Sequence, residues 1–280
     1  MPHLAVQLFE AYASGFDYDP TPFNDVVEGT IEYEYGTIEK VSFDGVGWGR
    51  IHAYLYLPNN AEPPYQTVLF YPGSGSARLQ PDPDPRTVAR VQHFVAGGRA
   101  VIWPVVRSTF SRAAPDQPPN MNTTWPKQTR EYVDLVQSWV REVRRSLDYL
   151  ATRPEDFDTE KIAHYGYSWG GRLGAIMPAV EPRFKVNLVM LGGLASGRAL
   201  PEVDQINYVT RITVPTLMLN GLHDPLEPVE SAQVPMEQLL GTPDADKHRI
   251  VYEGYGHALP LNEVARETTA WLDRYWGSPQ

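Results

Sequence analysis

The chain contains no cysteine. Disulfide bonds, thiolate metal sites and a cysteine nucleophile are therefore excluded, although this absence does not indicate a compartment. The sequence also lacks an apolar run approaching the roughly 18 residues that a membrane-spanning helix needs. Residues 1–15 lack the basic and apolar regions of a signal peptide. We therefore expect a cytoplasmic protein.

Positive charge is scarce, because 24 Lys and Arg residues face 34 Asp and Glu residues and give a net charge of -10. A surface of this sign repels phosphate groups. The charge therefore argues against a nucleic acid or an anionic membrane as partner. We expect a small-molecule ligand, and a homo-oligomer remains open.

Metal and cofactor motifs are also missing from the sequence. The pattern H-E-x-x-H is absent, and no cluster of His, Asp and Glu has the spacing of metal ligands. Segment 73–76, Gly-Ser-Gly-Ser, lacks the G-x-G-x-x-G spacing and the lysine of phosphate-binding loops. We therefore expect neither a metal nor a cofactor.

The run from Gly166 to Gly171, Gly-Tyr-Ser-Trp-Gly-Gly, is the most informative motif of the chain. It follows an apolar stretch typical of a strand and precedes a run of small residues typical of a helix. This is the G-x-S-x-G pattern in its strand–turn–helix context, which predicts a nucleophile elbow with Ser168 at its tip. The alternative is a glycine-rich turn after a buried strand.

A serine nucleophile needs a base, and the base needs an orienting carboxylate. Such groups gather beyond the carboxyl ends of the strands in open α/β sheets. Asp224 follows one predicted strand and is the candidate acid, with Glu227 as the alternative. His257 follows the next strand among small residues and is the candidate base, whereas His164 lies inside a strand and is interpreted as a core residue.

An oxyanion requires two backbone N–H donors. The residue after the nucleophile, Trp169, is expected to supply one of them. The loop after the predicted strand 67–71 is expected to supply the other, from Ser74 or, as second choice, from Gly75. Glycines in that loop allow its amides to approach a ligand closely.

Strands and helices alternate after the N-terminal part, which predicts a mostly parallel sheet with helices on both faces. We expect one domain over residues 1–280, with an N-terminal arm at 1–28 and an antiparallel pair of strands at 30–43 and 50–57. The segment 107–127 is too long for a simple connection and is a candidate lid. The other predicted strands are 67–71, 100–106, 158–166, 183–191, 213–220 and 248–253, and the predicted helices are 4–13, 86–96, 128–151, 172–180, 229–240 and 258–276.

Several side chains near the predicted site are candidates for substrate binding. Arg107 and Arg172 could hold a substrate carboxylate, although structural ion pairs are the plainer interpretation. His223 lies next to the candidate acid, and Trp125 in the insertion is a lid candidate. Aromatic residues that could line an acyl or aryl pocket are Trp103, Phe110, Trp125 and Trp139, the last of which fits the helix core better.

The elbow, the acid loop Gly221-Leu-His-Asp224 and the pair Gly256-His257 together resemble the α/β-hydrolase superfamily over residues 50–276. The chain order serine, acid, histidine is the one expected there. The stretch Arg144-Arg-Ser-Leu-Asp-Tyr-Leu150 before the elbow resembles esterases of the dienelactone-hydrolase and acetyl-xylan-esterase type, which are related to prolyl-oligopeptidase catalytic domains. Segments 64–68 and 240–243 are similar to hydrolase domains fused to bacterial kinases.

This resemblance implies an α/β-hydrolase fold and a serine hydrolase that cleaves carboxylic esters through an acyl-enzyme. The chain departs from dienelactone hydrolases proper, which use a cysteine where Ser168 stands. A peptidase or amidase with the same triad is one alternative, and a catalytically silent binding module is another. The natural substrate is not indicated by the sequence.

Overall fold

The computed structural model describes residues 2–47, 49–79, 81–113 and 121–280. Its centre is a nine-stranded sheet in the order β1-β2-β3-β5-β4-β6-β7-β8-β9. The strands are β1 (Val26–Tyr33), β2 (Gly36–Asp44), β3 (Arg50–Pro58), β4 (Tyr65–Tyr71), β5 (Ala100–Val105), β6 (Phe157–Tyr167), β7 (Phe184–Met190), β8 (Thr216–Gly221) and β9 (Lys247–Tyr252). The helices are α1 (Pro2–Ala13), α2 (Ala89–Ala96), α3 (Arg130–Ala151), α4 (Trp169–Leu173), α5 (Met177–Val180), α6 (Val234–Leu239) and α7 (Leu261–Trp276).

The N-terminal strands are antiparallel, as expected, but they number three and not two. The segment predicted as one strand over 30–43 folds into β1 and β2, which pair from Tyr33 and Gly36 outward. The turn between them holds neither the Asn-Gly nor the Asp-Gly signature of a tight hairpin. Gly36 is required because a Cβ there would lie 2.0 Å from the carbonyl oxygen of Leu57.

The strands from β4 to β9 pair in parallel, which confirms the predicted architecture. The central strands are covered on both faces, and β5 and β8 are buried at every position. Alternate residues of β3 divide between the faces, with Ile51, Ala53 and Leu55 in one core cluster and Tyr54 and Tyr56 in the other. Helix α3 covers the first face, and α2 and α7 cover the second.

Two predicted helices are interrupted in the structure. The helix expected over 172–180 begins earlier, at Trp169, and divides into α4 and α5 around Gly174. A Cβ on Gly174 would lie 3.1 Å from the His164 ring, so close packing against β6 favours glycine at this position. The helix expected over 229–240 starts as a π-helical turn, and Pro235 lies in the first turn of α6, where no N–H is needed.

The N-terminal arm is fastened to α3. Phe16 is fully buried in the core, Arg144 donates to its carbonyl at 2.5 Å, and Arg141 donates to the Gly15 carbonyl at 2.6 Å. The arm is shorter than predicted, because residues 26–28 already belong to β1. In the described residues no helix is long and apolar enough to cross a membrane.

The N-terminal flank of the predicted insertion 107–127 is anchored on α3, and residues 114–120 lie outside the described residues. Arg112 forms an ion pair at 2.5 Å with Glu142 of α3, which is 1% exposed. Arg107 donates its backbone N–H to the same carboxylate at 2.7 Å. The flank 107–112 is therefore held against the core, and the role of the insertion as a lid stays a prediction.

Candidate active site

Ser168 lies at the tip of a tight turn between β6 and α4. Its backbone has φ 56° and ψ −109°, a conformation that non-glycine residues rarely adopt and that concentrates at functional sites. A Cβ on Gly166 would lie 2.2 Å from the Gly170 carbonyl oxygen, and one on Gly170 would lie 2.3 Å from that of Tyr71. The two glycines are therefore needed for the turn to close against β4.

The structure brings Ser168, His257 and Asp224 together. Ser168 Oγ lies 2.7 Å from His257 Nε2, and His257 Nδ1 lies 2.7 Å from Asp224 Oδ2. The acid loop and the histidine loop are also joined to each other, because the His223 N–H donates to the Tyr255 carbonyl at 2.9 Å. The carboxyl ends of β6, β8 and β9 thus position the three side chains.

Asp224 is 3% exposed, and its second oxygen is also occupied. Backbone N–H groups of Leu226 and Glu227 donate to Asp224 Oδ1 at 2.9 and 3.1 Å. Oδ2 is left to accept from the Nδ1–H of His257, and this bond selects the tautomer whose Nε2 is unprotonated. Nε2 can then accept the hydroxyl proton of Ser168, the arrangement that a general base requires.

The loop after β4 lies directly against the elbow. A Cβ on Gly73 would come within 3.3 Å of Ser168 Cβ, and the Gly170 N–H donates to the Pro72 carbonyl at 3.1 Å. Within the described residues, the backbone N–H groups of Ser74 and Trp169 donate to no protein acceptor. Two N–H groups beside the nucleophile are what an oxyanion hole needs, and the choice between Ser74 and Gly75 stays a prediction.

Glu227, the alternative acid, does not contact the histidine in this structure. It is fully buried and forms a very short ion pair with Arg172, whose guanidinium lies 3.6 Å above the ring of Trp125. Burial raises the pKa of Glu227 to about 7, with a further rise from nearby Asp224 and an opposing effect of Arg172. The plainer interpretation of Arg172 as a member of a structural ion pair is confirmed. Its partner Glu227 could not be identified from the sequence, because no local pattern shows that the loop after β8 reaches α4.

The predicted substrate-binding side chains differ in their contacts and in their exposure. Arg172 lines a cavity, but its charge is already paired with Glu227. Arg107 is held by backbone bonds, its carbonyl accepting from Trp139 Nε1 at 3.0 Å, and burial lowers the pKa of its guanidinium. His223 is exposed, and its side chain makes no hydrogen bond within the described residues. These roles in substrate binding stay predictions.

Two cavities flank the elbow. The smaller one, of about 150 Å³, lies on the α4 side and is lined by residues that include Tyr132, Trp169, Arg172, Leu194 and Gln205. The larger one, of about 370 Å³, lies beside the loop after β4; we call it the aromatic cavity. Its apolar wall is formed by Phe70, Leu79, Val88, Trp103, Phe110 and Tyr167.

Two interpretations of single side chains from the sequence are confirmed. His164 is a core residue whose Nδ1 lies 2.9 Å from Asn187 Oδ1, and burial lowers the pKa of this histidine to about 4. Trp139 is fully buried in the core. Among the described residues, no group of three or more His, Asp or Glu side chains could hold a metal ion.

Comparison with known proteins decides the family. The profile of the dienelactone hydrolase family matches residues 51–270. This chain belongs to the dienelactone hydrolase family. Family membership confirms the predicted resemblance and the α/β-hydrolase fold.

Curated relatives match only part of the chain. A putative carboxymethylenebutenolidase of Yersinia pestis is 32% identical over 123 residues, which cover 42% of this chain and 45% of the relative. A protein of the same description from Escherichia coli K12 is 30% identical over 121 residues, covering 42% and 44%. The match thus spans less than half the length of these relatives.

Solved structures match almost the whole chain at low sequence identity. An acetyl xylan esterase from Paenibacillus sp. R4 has a TM-score of 0.68 and 20% identity, with 96% of this chain and 93% of that one covered. Acetyl xylan esterase 1 from Thermoanaerobacterium sp. JW/SL YS485 has a TM-score of 0.70 and 18% identity, with 95% and 93% covered. At these identities the likeness is one of fold.

Proposed function

We propose that this chain is a serine hydrolase that cleaves carboxylic esters of small molecules through an acyl-enzyme. The observation that carries the proposal is the continuous relay from Ser168 Oγ to His257 Nε2 and from Nδ1 to Asp224, at 2.7 Å for each step. Family membership supports hydrolysis, and the acetyl xylan esterases that share the fold support an ester as the bond cleaved.

The reaction begins when Ser168 Oγ attacks the acyl carbon and its proton passes to His257 Nε2. The carbonyl oxygen becomes an oxyanion, which the N–H groups of Trp169 and of Ser74 or Gly75 stabilise. His257 then returns the proton to the leaving alkoxide, which departs as the alcohol and leaves Ser168 acylated. A water molecule repeats the sequence, with His257 as base, and releases the carboxylic acid.

Asp224 contributes by holding the imidazole and by stabilising its cationic form. Its carboxylate is buried and accepts two backbone N–H bonds in addition to the one from Nδ1. These bonds fix the carboxylate, so the imidazole does not have to be reoriented between the two half-reactions. Preorganised groups of this kind supply most of the rate enhancement in acyl transfer.

The proposal is tested with p-nitrophenyl esters from acetate to laurate, comparing wild type, Ser168→Ala and the control Ser146→Ala. Ser146 is a fully buried serine on α3, remote from the elbow, whose hydroxyl donates to the Glu142 carbonyl. We expect Ser168→Ala to lower kcat by about 10⁴- to 10⁶-fold and Ser146→Ala to leave it within about threefold. The acyl chain length that gives the highest kcat/KM would also indicate the size of the acyl site.

Activity of Ser168→Ala within tenfold of wild type would overturn the proposal. If the wild type cleaves none of the esters, matched p-nitroanilides test for an amidase. A failure to react with a fluorophosphonate would instead indicate a silent binding protein. The kcat values are compared only if both serine variants melt at the same temperature as wild type.

A further inference from the structure

The aromatic cavity is shaped to hold a ring. Its volume of about 370 Å³ lies in the range of small-molecule sites. An apolar cavity of about 150 Å³ suffices for benzene, so this one has space for a ring with substituents. Trp103 stacks on Tyr54 at 5.1 Å and meets Phe110 edge-on at 5.5 Å, so its wall is fixed.

The cavity adjoins the reacting centre. Gly73 and Gly75 of the loop after β4 line it, as does Tyr167, the residue before the nucleophile. Since a Cβ on Gly73 would lie 3.3 Å from Ser168 Cβ, the cavity begins within one side-chain length of the acylated atom. The guanidinium of Arg90 lies 4.0 Å above the Tyr167 ring and fixes that ring at the cavity.

The cavity belongs to the acyl side of the substrate. Its lining comes from β4, β5, α2 and the loops that adjoin them, together with Tyr167. The acid loop after β8 and the histidine loop after β9 contribute nothing to it. The leaving alcohol must lie near His257, which protonates it, so the group that extends away from the histidine is the acyl group.

The aromatic wall of the cavity is held by close packing. Trp103 is 1% exposed and Phe110 is 5% exposed. Phe110 has φ 42°, an unusual conformation for a bulky residue that the surrounding packing must hold.

We infer that the aromatic cavity binds the acyl ring of an ester of an aromatic carboxylic acid. The inference rests on the proposed function and adds its substrate class. Trp103, Val88 and Phe110 shape the space that the ring fills.

The space is tested with Val88→Phe, which adds a ring to the wall. We expect it to lower the benzoate-to-acetate ratio of kcat/KM at least tenfold. Should Val88→Phe not fold, inhibition of the wild type decides, because methyl 4-methoxybenzoate should inhibit acetate hydrolysis about tenfold more strongly than methyl cyclohexanecarboxylate. Equal inhibition would overturn the inference.

The failure of the inference differs from that of the proposed function. If Ser168-dependent acetate hydrolysis is present and the benzoate-to-acetate ratio of kcat/KM in Val88→Phe stays within twofold of wild type, the aromatic acyl site is wrong and the esterase stands. If the wild type shows no Ser168-dependent hydrolysis of any ester, the proposed function is wrong and the inference falls with it.

Discussion

The buried ion pair between Arg172 and Glu227 predicts an unusual pattern of stability changes. Both side chains are almost completely buried, with 5% and 0% exposure. Glu227 Oε2 has no hydrogen-bond partner among the described residues, so the pair is incompletely compensated. Removing one partner of such a pair leaves an uncompensated charge and costs about 3–5 kcal/mol.

The two single substitutions should differ. Glu227→Leu leaves a buried guanidinium, which cannot lose its proton, so the full penalty of about 3–5 kcal/mol is expected at every pH. Arg172→Met leaves a carboxyl whose pKa burial already raises to about 7. That carboxyl can become neutral, and without Arg172, which lowers this pKa in wild type, its pKa should lie above about 7. The free energy of unfolding of Arg172→Met should therefore fall as pH rises from about 4.5 to that higher value, and level off above it.

The double variant Arg172→Met with Glu227→Leu removes both charges and keeps apolar volume against Trp125. Replacement of a buried pair by apolar residues is often neutral or stabilising. We therefore expect the double variant to unfold within about 1 kcal/mol of wild type. Since Glu227→Leu alone should lose about 3–5 kcal/mol, this requires a coupling energy of at least about 2 kcal/mol.

Urea unfolding of the four proteins at about pH 7 and about pH 9 measures these differences by linear extrapolation. An unchanged m-value shows that the denatured state is unaffected. A loss below about 1 kcal/mol in both single variants would refute the reasoning. A double variant that loses the sum of the single losses would refute it as well, because the two residues would then act independently.

Three further predictions concern the elbow, the acid and the core. Gly166→Ala should abolish activity and destabilise the protein, because the added Cβ would lie 2.2 Å from a carbonyl oxygen. Gly254→Ala is the control, since a Cβ there would have nothing within 4 Å and should change neither property. Equal melting temperatures of the two variants would refute this reasoning. Asp224→Asn should lower kcat by about 10³- to 10⁴-fold without unfolding, and retention of a tenth of the activity would refute it. Burial lowers the pKa of His164 to about 4, so between about pH 7 and about pH 4 the unfolded chain binds a proton at this histidine that the folded chain does not. The free energy of unfolding of wild type should therefore fall by about 3 kcal/mol over that range relative to His164→Gln. Parallel pH profiles of the two proteins would contradict this prediction.

The sequence predicts the parts of the site that backbone geometry dictates. Gly166 and Gly170 stand where a side chain would strike a carbonyl oxygen, so the elbow leaves a local signature. Asp224 and His257 follow strand ends, and parallel strands bring those ends to one edge. Residues far apart in the chain are therefore assembled by a pattern that can be recognised locally.

Features that depend on tertiary contact leave no such signature. The turn between β1 and β2 has ordinary residues at its tip, and Gly36 is selected by the distant Leu57 carbonyl. The ion pair of Arg172 and Glu227 joins elements more than fifty residues apart. The ion pair of Arg112 with Glu142, which holds the start of the candidate lid against α3, likewise has no local sequence pattern.

The most direct test of the central claim is fluorophosphonate labelling of the wild type, followed by intact-mass measurement and peptide mapping. The proposed mechanism predicts one label per chain, located on Ser168, and none on Ser168→Ala. His257→Ala should react at least about a hundredfold more slowly, since the hydroxyl then lacks its base. A label on any other residue, or an active esterase that takes up no label, would contradict Ser168 as the nucleophile.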